Sequence, residues 1–128
     1  MTQIGIGIIG GGYMGKAHAV AMAAVGAVFN TTLRPKLEMI CATTPETAEA
    51  HRKALGFARA TTDWRILVAD PLVEAIIIAS PQETHRAIAE AAFGLGKPVF
   101  CEKPLGASMA DSCAMVAEIG RASCRERV

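Results

Sequence analysis

The chain has 128 residues, of which 52% are hydrophobic and 20% charged, and its formal net charge is +1. That is enough for one domain with a sizeable core, and too balanced for the basic face that nucleic acid or an anionic membrane selects. No apolar run approaches the roughly 20 residues of a membrane span, and no charged-then-apolar leader opens the chain, so a cytoplasmic location is expected.

Residues 3–9, QIGIGII, are a short β-branched apolar run and read as a buried strand. After a cluster of glycines, residues 14–28, MGKAHAVAMAAVGAV, are Ala-rich with apolar residues at helical spacing. Residues 29–36, FNTTLRPK, read as a polar loop closed by Pro35, and residues 37–42, LEMICA, as the second strand. A cap signal follows: Thr44 at N-cap and Pro45 at N1 predict a helix to Leu55, stopped by Gly56. Residues 58–61 form a short third strand and residues 63–70 one or two helical turns before Pro71. The continuous apolar run EAIIIAS, residues 74–80, suits a strand buried on both faces. Residues 81–96 read as a helix with Ile88, Ala91, Ala92 and Leu95 facing inward. Residues 97–104, KPVFCEKP, are the last strand and a turn, and Ser108 caps a helix over residues 108–119.

Strands and helices therefore alternate at βαβ spacing. Parallel strands need crossover helices, and the crossovers are right-handed, so the expected architecture is a doubly wound Rossmann α/β sheet with helices on both faces. The four cysteines, Cys41, Cys101, Cys113 and Cys124, make no C-x-x-C pair and have no His at ligand spacing. Reduced, mostly buried thiols are expected and no metal site.

Gly10, Gly12 and Gly15 form G-x-G-x-x-G between the first strand and the first helix. Gly10 permits the tight turn, Gly12 lets backbone approach a pyrophosphate, and Gly15 lets the helix pack against the strand. The helix N-terminus then favours the phosphate charge. The plainer alternative is a glycine-rich turn needed only for packing. An NAD site usually carries Asp or Glu at the end of the second strand to bond the ribose 2′-OH. Here Ala42, Thr43 and Thr44 stand at that end, and Arg52 and Lys53 lie a full helix away. Without a carboxylate a 2′-phosphate is not repelled, so NAD and NADP both stay open.

Residues 119–128, IGRASCRERV, show no hydrophobic period and match one translated frame of a common high-throughput sequencing adaptor. They are set apart as a non-native tail, leaving a body of residues 1–118 and an N-terminal fragment of a longer protein. Setting them aside removes Arg121, Arg125 and Arg127 against Glu126 alone, which turns the net charge from +1 to −1.

Two further stretches, ASPQETH at 79–85 and CEKPLG at 101–106, follow strand ends. With GGGYMGKAHA and FARATTDWRILVADP, their order resembles the Gfo/Idh/MocA oxidoreductases, over residues 3 to about 118. The resemblance implies that Gly10, Gly12, Tyr13, Met14 and Gly15 line the pyrophosphate, and that Ala42 and Thr43 border the ribose. It implies that Ser80, Pro81 and His85 flank the cofactor, and that Glu102, Lys103 and Pro104 lie beside the nicotinamide. Lys103 is then the catalytic residue, contacting the reacting hydroxyl of a sugar, inositol or similar polyol. A lysine beside a cationic nicotinamide and partly desolvated has its pKa lowered toward that task. The family also implies a second α/β domain, missing here, and a homo-oligomer at full length. The fragment alone is expected to be inactive.

Blander readings stand beside these. Lys103 can be a surface lysine in a turn, and His85 a helix-start residue bonded to the loop. His18 and His51 read as helix-surface or packing residues. Trp64 reads as a packing anchor that could also shade the adenine or a substrate. The whole can be a stand-alone dinucleotide-binding module without catalysis.

Overall fold

In the computed structural model, residues 2–126 are described, with side chains through residue 120. The elements run β1 (Thr2–Ile9), α1 (Tyr13–Phe29), β2 (Leu33–Cys41), α2 (Pro45–Leu55), β3 (Arg59–Thr61), α3 (Trp64–Ala69), β4 (Ala75–Ile78), α4 (His85–Gly94), β5 (Val99–Cys101) and α5 (Met109–Glu126). A 3₁₀ turn at Gln82–Thr84 precedes α4. The sheet order is β3-β2-β1-β4-β5, and every pairing is parallel. The chain thus winds outward from β1 in both directions, the doubly wound arrangement expected.

Each face of the sheet buries its own cluster, because side chains alternate along a strand. Ile76 and Ile78 of β4 pack with Leu67, Val68, Ile88, Ala89, Ala92 and Met115, under α3, α4 and α5. Ile77 packs the other way with Ile6, Ile8, Ala19, Ile40 and Phe57, under α1 and α2. The β1–β2 register slips between Ile6 opposite Leu37 and Gly7 opposite Met39, leaving Glu38 unmatched. Glu38 is nonetheless buried and takes Arg59 Nε at 2.9 Å and Lys36 Nζ at 3.2 Å. Arg59 also forks onto both oxygens of Asp70, at 2.7 and 2.8 Å. A buried carboxylate needs such partners, since unpaired burial of charge is far more costly than the pair.

The α2 caps form as expected. Thr44 Oγ1 accepts from the Thr47 N–H at 3.1 Å, and Gly56 closes the helix at φ +83°. Ser108 Oγ accepts from the Asp111 N–H at 3.1 Å and starts α5.

Four expectations need correction. Leu33–Lys36 is strand, not loop. Pro35 lies in β2 opposite Ile4, but β3 reaches only Met39–Cys41, so at Pro35 one edge of the strand has no neighbour to miss its N–H. Leu95 is 56% exposed, because the helix ends at Gly94 and Leu95 no longer follows its phase. Ala89 is buried in its place. β4 stops at Ile78, two residues early, so Ala79 and Ser80 belong to the turn. The helix begun at Ser108 continues to Glu126, through most of residues 119–128. The side chains after residue 120, Cys124 among them, and residues 127–128 lie outside the described residues. No helix among the described residues is long and apolar enough to cross a membrane.

Candidate functional site

A cleft of about 720 Å³ opens where β1, β2 and β4 end at their carboxyl sides. It lies where α/β sheets of this kind place their ligands, at the point where the winding reverses. Three backbone bonds hold its rim. The Gly10 N–H donates to the Cys41 carbonyl at 2.9 Å, Ala79 N–H to the Ile9 carbonyl at 2.8 Å, and Ala42 N–H to the Thr61 carbonyl at 3.1 Å.

The glycine turn divides its labour. Gly10 sits at φ +106°, where an L side chain is strained, and a Cβ there would meet the Ala79 carbonyl oxygen at 2.5 Å. At Gly15 a Cβ would lie 1.9 Å from the Gly10 carbonyl oxygen, so α1 could not approach the turn. Gly12 differs: a Cβ there meets nothing within 4 Å. Its backbone is extended, at φ −74° and ψ −165°, where any residue fits. The fold itself does not require glycine at 12, and the space it leaves open belongs to the cleft.

Gly12 is the N-cap of α1, with no side-chain cap and no acidic residue in the first turn. The Lys16 N–H is bonded to the Gly12 carbonyl, and the preceding N–H groups of the turn are left for a ligand. Their partial positive charge suits a phosphate. The residues present therefore fit a dinucleotide pyrophosphate.

At the β2 end, Cys41, Ala42 and Thr43 line the cleft with Thr47 and His51 of α2. Among the described residues no Asp, Glu, Lys or Arg lines it. Burial, aided by Asp63, pushes the Cys41 thiol up to about 11, so it is a neutral wall. Trp64 closes one side while packing on the core, and the Arg65 guanidinium stacks 4.5 Å from its ring centroid.

At the β4 end, Ser80 and Pro81 form a wall. Ser80 Oγ and Thr84 Oγ1 lie 2.7 Å apart, and the Thr84 hydroxyl donates to the Pro81 carbonyl at 2.6 Å. His85 is buried behind them. Its Nε2 lies 2.9 Å from the Ser80 carbonyl oxygen, and its Nδ1 lies 3.0 Å from that of Pro104 and 3.2 Å from that of Leu105. One ring thus ties the S-P turn to the E-K-P loop.

The E-K-P loop continues β5. Glu102 Oε1 lies 2.6 Å from His18 Nε2, and the His18 ring meets Phe100 edge-on at 5.0 Å. Lys103 is exposed, and its peptide bond to Pro104 is cis.

Six expected site residues therefore line the one cleft: Gly10, Gly12, Ala42, Thr43, Ser80 and Pro81. Tyr13, Met14 and Gly15 lie on α1 at its rim, with Tyr13 86% exposed. His85, Glu102, Lys103 and Pro104 do not line it. Lys103 is open to solvent in this chain. Two residues read as surface or packing histidines have other places: His18 holds Glu102, and His51 lines the cleft. For His51 a signal existed, since it lies one helical turn beyond Thr47 on a helix capped at the strand end. For His18 there was none, because its partner is 84 residues away.

A family model described as an oxidoreductase family with an NAD-binding Rossmann fold matches residues 4–128. The levoglucosan dehydrogenase of Pseudarthrobacter phenanthrenivorans is 40% identical over 116 residues, which are 90% of this chain and 30% of that protein. The inositol 2-dehydrogenase of Acidothermus cellulolyticus is 35% identical over 128 residues, 98% of this chain and 35% of that protein. A levoglucosan dehydrogenase solved in complex with NADH and levoglucosan superposes with a TM-score of 0.90 at 37% identity, covering 93% of this chain and 32% of that one. The chain spans about a third of the length of these relatives.

Proposed function

From the premise that this chain belongs to the Gfo/Idh/MocA oxidoreductases, with their NAD-binding Rossmann fold, we propose that it is the dinucleotide-binding domain of a dehydrogenase for a sugar, inositol or similar polyol. Gly12 carries this reading. It is a glycine that packing does not require, at an uncapped helix start, opening into the strand-end cleft.

When bound, the nicotinamide supplies the hydride acceptor. Gly10, Gly12 and the N–H groups of Tyr13, Met14 and Gly15 hold the pyrophosphate. Ala42 and Thr43 border the adenosine ribose, and Ser80 and Pro81 wall the cleft. Lys103 is the acid–base group: as the alcohol is oxidised its amine takes the hydroxyl proton, and in reverse it returns it. His85 and His18 set the loop that carries it, through the Pro104 carbonyl and the Glu102 carboxylate. The relatives that act on levoglucosan and inositol support the substrate class.

The remainder of a longer protein supplies most of the substrate pocket and the oligomer contacts. Residues 119–128 are foreign to it, and the protein works in the cytoplasm. The alternative, a stand-alone binding module, draws on the exposure of Lys103 outside the cleft.

The test has two parts. The chain alone binds NADH but reduces no NAD or NADP with inositol or levoglucosan. The full-length gene product does reduce them, and Lys103→Met lowers its kcat by at least 100-fold while dinucleotide affinity holds. Turnover by the chain alone contradicts the first part. An inactive full-length product that still binds NADH favours the module.

A further inference from the structure

The ribose end of the cleft lacks the usual reader of the 2′ position. In this fold that reader is a carboxylate at the end of the second strand, which accepts from the 2′-OH and repels a 2′-phosphate. Here β2 ends in Cys41, followed by Ala42 and Thr43, and among the described residues no carboxylate, lysine or arginine lines the cleft. On α2, the helix that follows β2, the side chains that line the cleft are Thr47 and His51.

The placement of His51 is well defined. A Cβ built on Gly11 would lie 2.2 Å from His51 Cδ2 and 2.4 Å from His51 Nε2. The ring edge therefore fills the space that a side chain at 11 would take, against the glycine turn. His51 is half-buried and lines the cleft with Thr43 and Thr47. Among the described residues neither of its ring nitrogens has a hydrogen-bond partner, whereas His18 and His85 are both bonded. Among the described residues, Cys41 is the only other ionisable side chain that lines the cleft.

We propose that His51 reads the adenosine 2′ position and lets this cleft take NADP(H) as well as NAD(H). An imidazole serves both cofactors because its nitrogens play either role. It accepts from a 2′-OH, or donates to a 2′-phosphate, where a carboxylate can only accept. The Thr43 and Thr47 hydroxyls add donors beside it. This rests on the cleft being a dinucleotide site, and it goes further by assigning the cofactor class and the residue that sets it.

Dissociation constants for NADH and NADPH, measured by calorimetry on this chain, test it in the wild type, His51→Glu and His51→Leu. Circular dichroism checks the fold of each. The wild type binds the two within about tenfold of each other. His51→Glu weakens NADPH at least tenfold relative to NADH, and His51→Leu weakens NADPH more than NADH. If His51→Glu does not fold, His51→Leu decides. If NADH binds but neither variant changes the ratio by more than twofold, the assignment of His51 falls while the cleft stands. A wild type that binds NADH and excludes NADPH more than 100-fold also overturns it. If neither dinucleotide binds, the cleft assignment itself is wrong and His51 goes with it.

Discussion

Gly12→Ala separates function from packing more cleanly than any other single change in the glycine turn. The added methyl meets nothing within 4 Å, and its backbone at φ −74° and ψ −165° suits alanine. Alanine is a poorer N-cap than glycine by roughly 0.5–1 kcal/mol. Against this, the unfolded chain loses freedom, which returns about 0.4–1 kcal/mol. The two nearly cancel, so stability holds within about 0.5 kcal/mol and Tm within about 4 °C. In the complex, that methyl stands where the pyrophosphate must approach the backbone. Overpacking of this kind costs about 1–3 kcal/mol, which is roughly a 5- to 150-fold weaker Kd for NADH. Gly15→Ala is the opposite case. Its Cβ lies 1.9 Å from the Gly10 carbonyl oxygen, so backbone must move. The expected loss is at least about 3 kcal/mol, with Tm falling by about 10 °C or more. Differential scanning fluorimetry and calorimetric titration with NADH read both effects. A Gly12→Ala protein that binds NADH as the wild type does refutes the reasoning, as does a Gly15→Ala protein that melts unchanged.

Two further outcomes follow from the charge network and the thiols. The Arg59 guanidinium holds the Asp70 carboxyl down to about 2 from its ordinary 3.8. Asp70 then stabilises the fold fully above pH 3.8, and this support is lost as pH falls toward 2. Asp70→Asn is therefore expected to lower stability by about 1–2 kcal/mol at neutral pH, and its deficit in urea unfolding should shrink below pH 3.8. A deficit that does not change with pH would count against the pairing. Burial pushes the Cys41 and Cys101 thiols each up to about 11, while Cys113 is exposed. In a Cys124→Ser protein at pH 8, an aromatic disulfide reagent should label exposed Cys113 quickly, half-buried Cys101 more slowly and buried Cys41 only on unfolding; three equal rates would show the burial to be wrong.

What the sequence revealed was mostly local. The turn at Gly10–Gly15 and the α2 caps at Thr44, Pro45 and Gly56 were legible because their physics lies within a few residues. Buried strands such as residues 75–78 were legible as unbroken apolar runs, though their ends slid by one or two residues. Features that depend on neighbours were not. Whether Pro35 can sit in a strand depends on how far β3 extends beside it. The phase of Leu95 depends on where the helix stops. Within the site, the glycines and the missing carboxylate could be read from spacing. The His85 bridge, the His18–Glu102 pair and the approach of His51 to Gly11 needed the folded chain. Each joins segments that the sequence holds far apart.

The central claim is that the strand-end cleft binds a dinucleotide across the glycine turn. Amide chemical-shift mapping of the ¹⁵N-labelled chain during an NADH titration tests it most directly. The account predicts saturable shifts at Gly10, Gly12, Tyr13, Thr43 and Ser80, with little change at Val28 and Leu95, which lie exposed at the far ends of their helices. Saturable shifts that spare the glycine turn, or none at millimolar NADH, would contradict it.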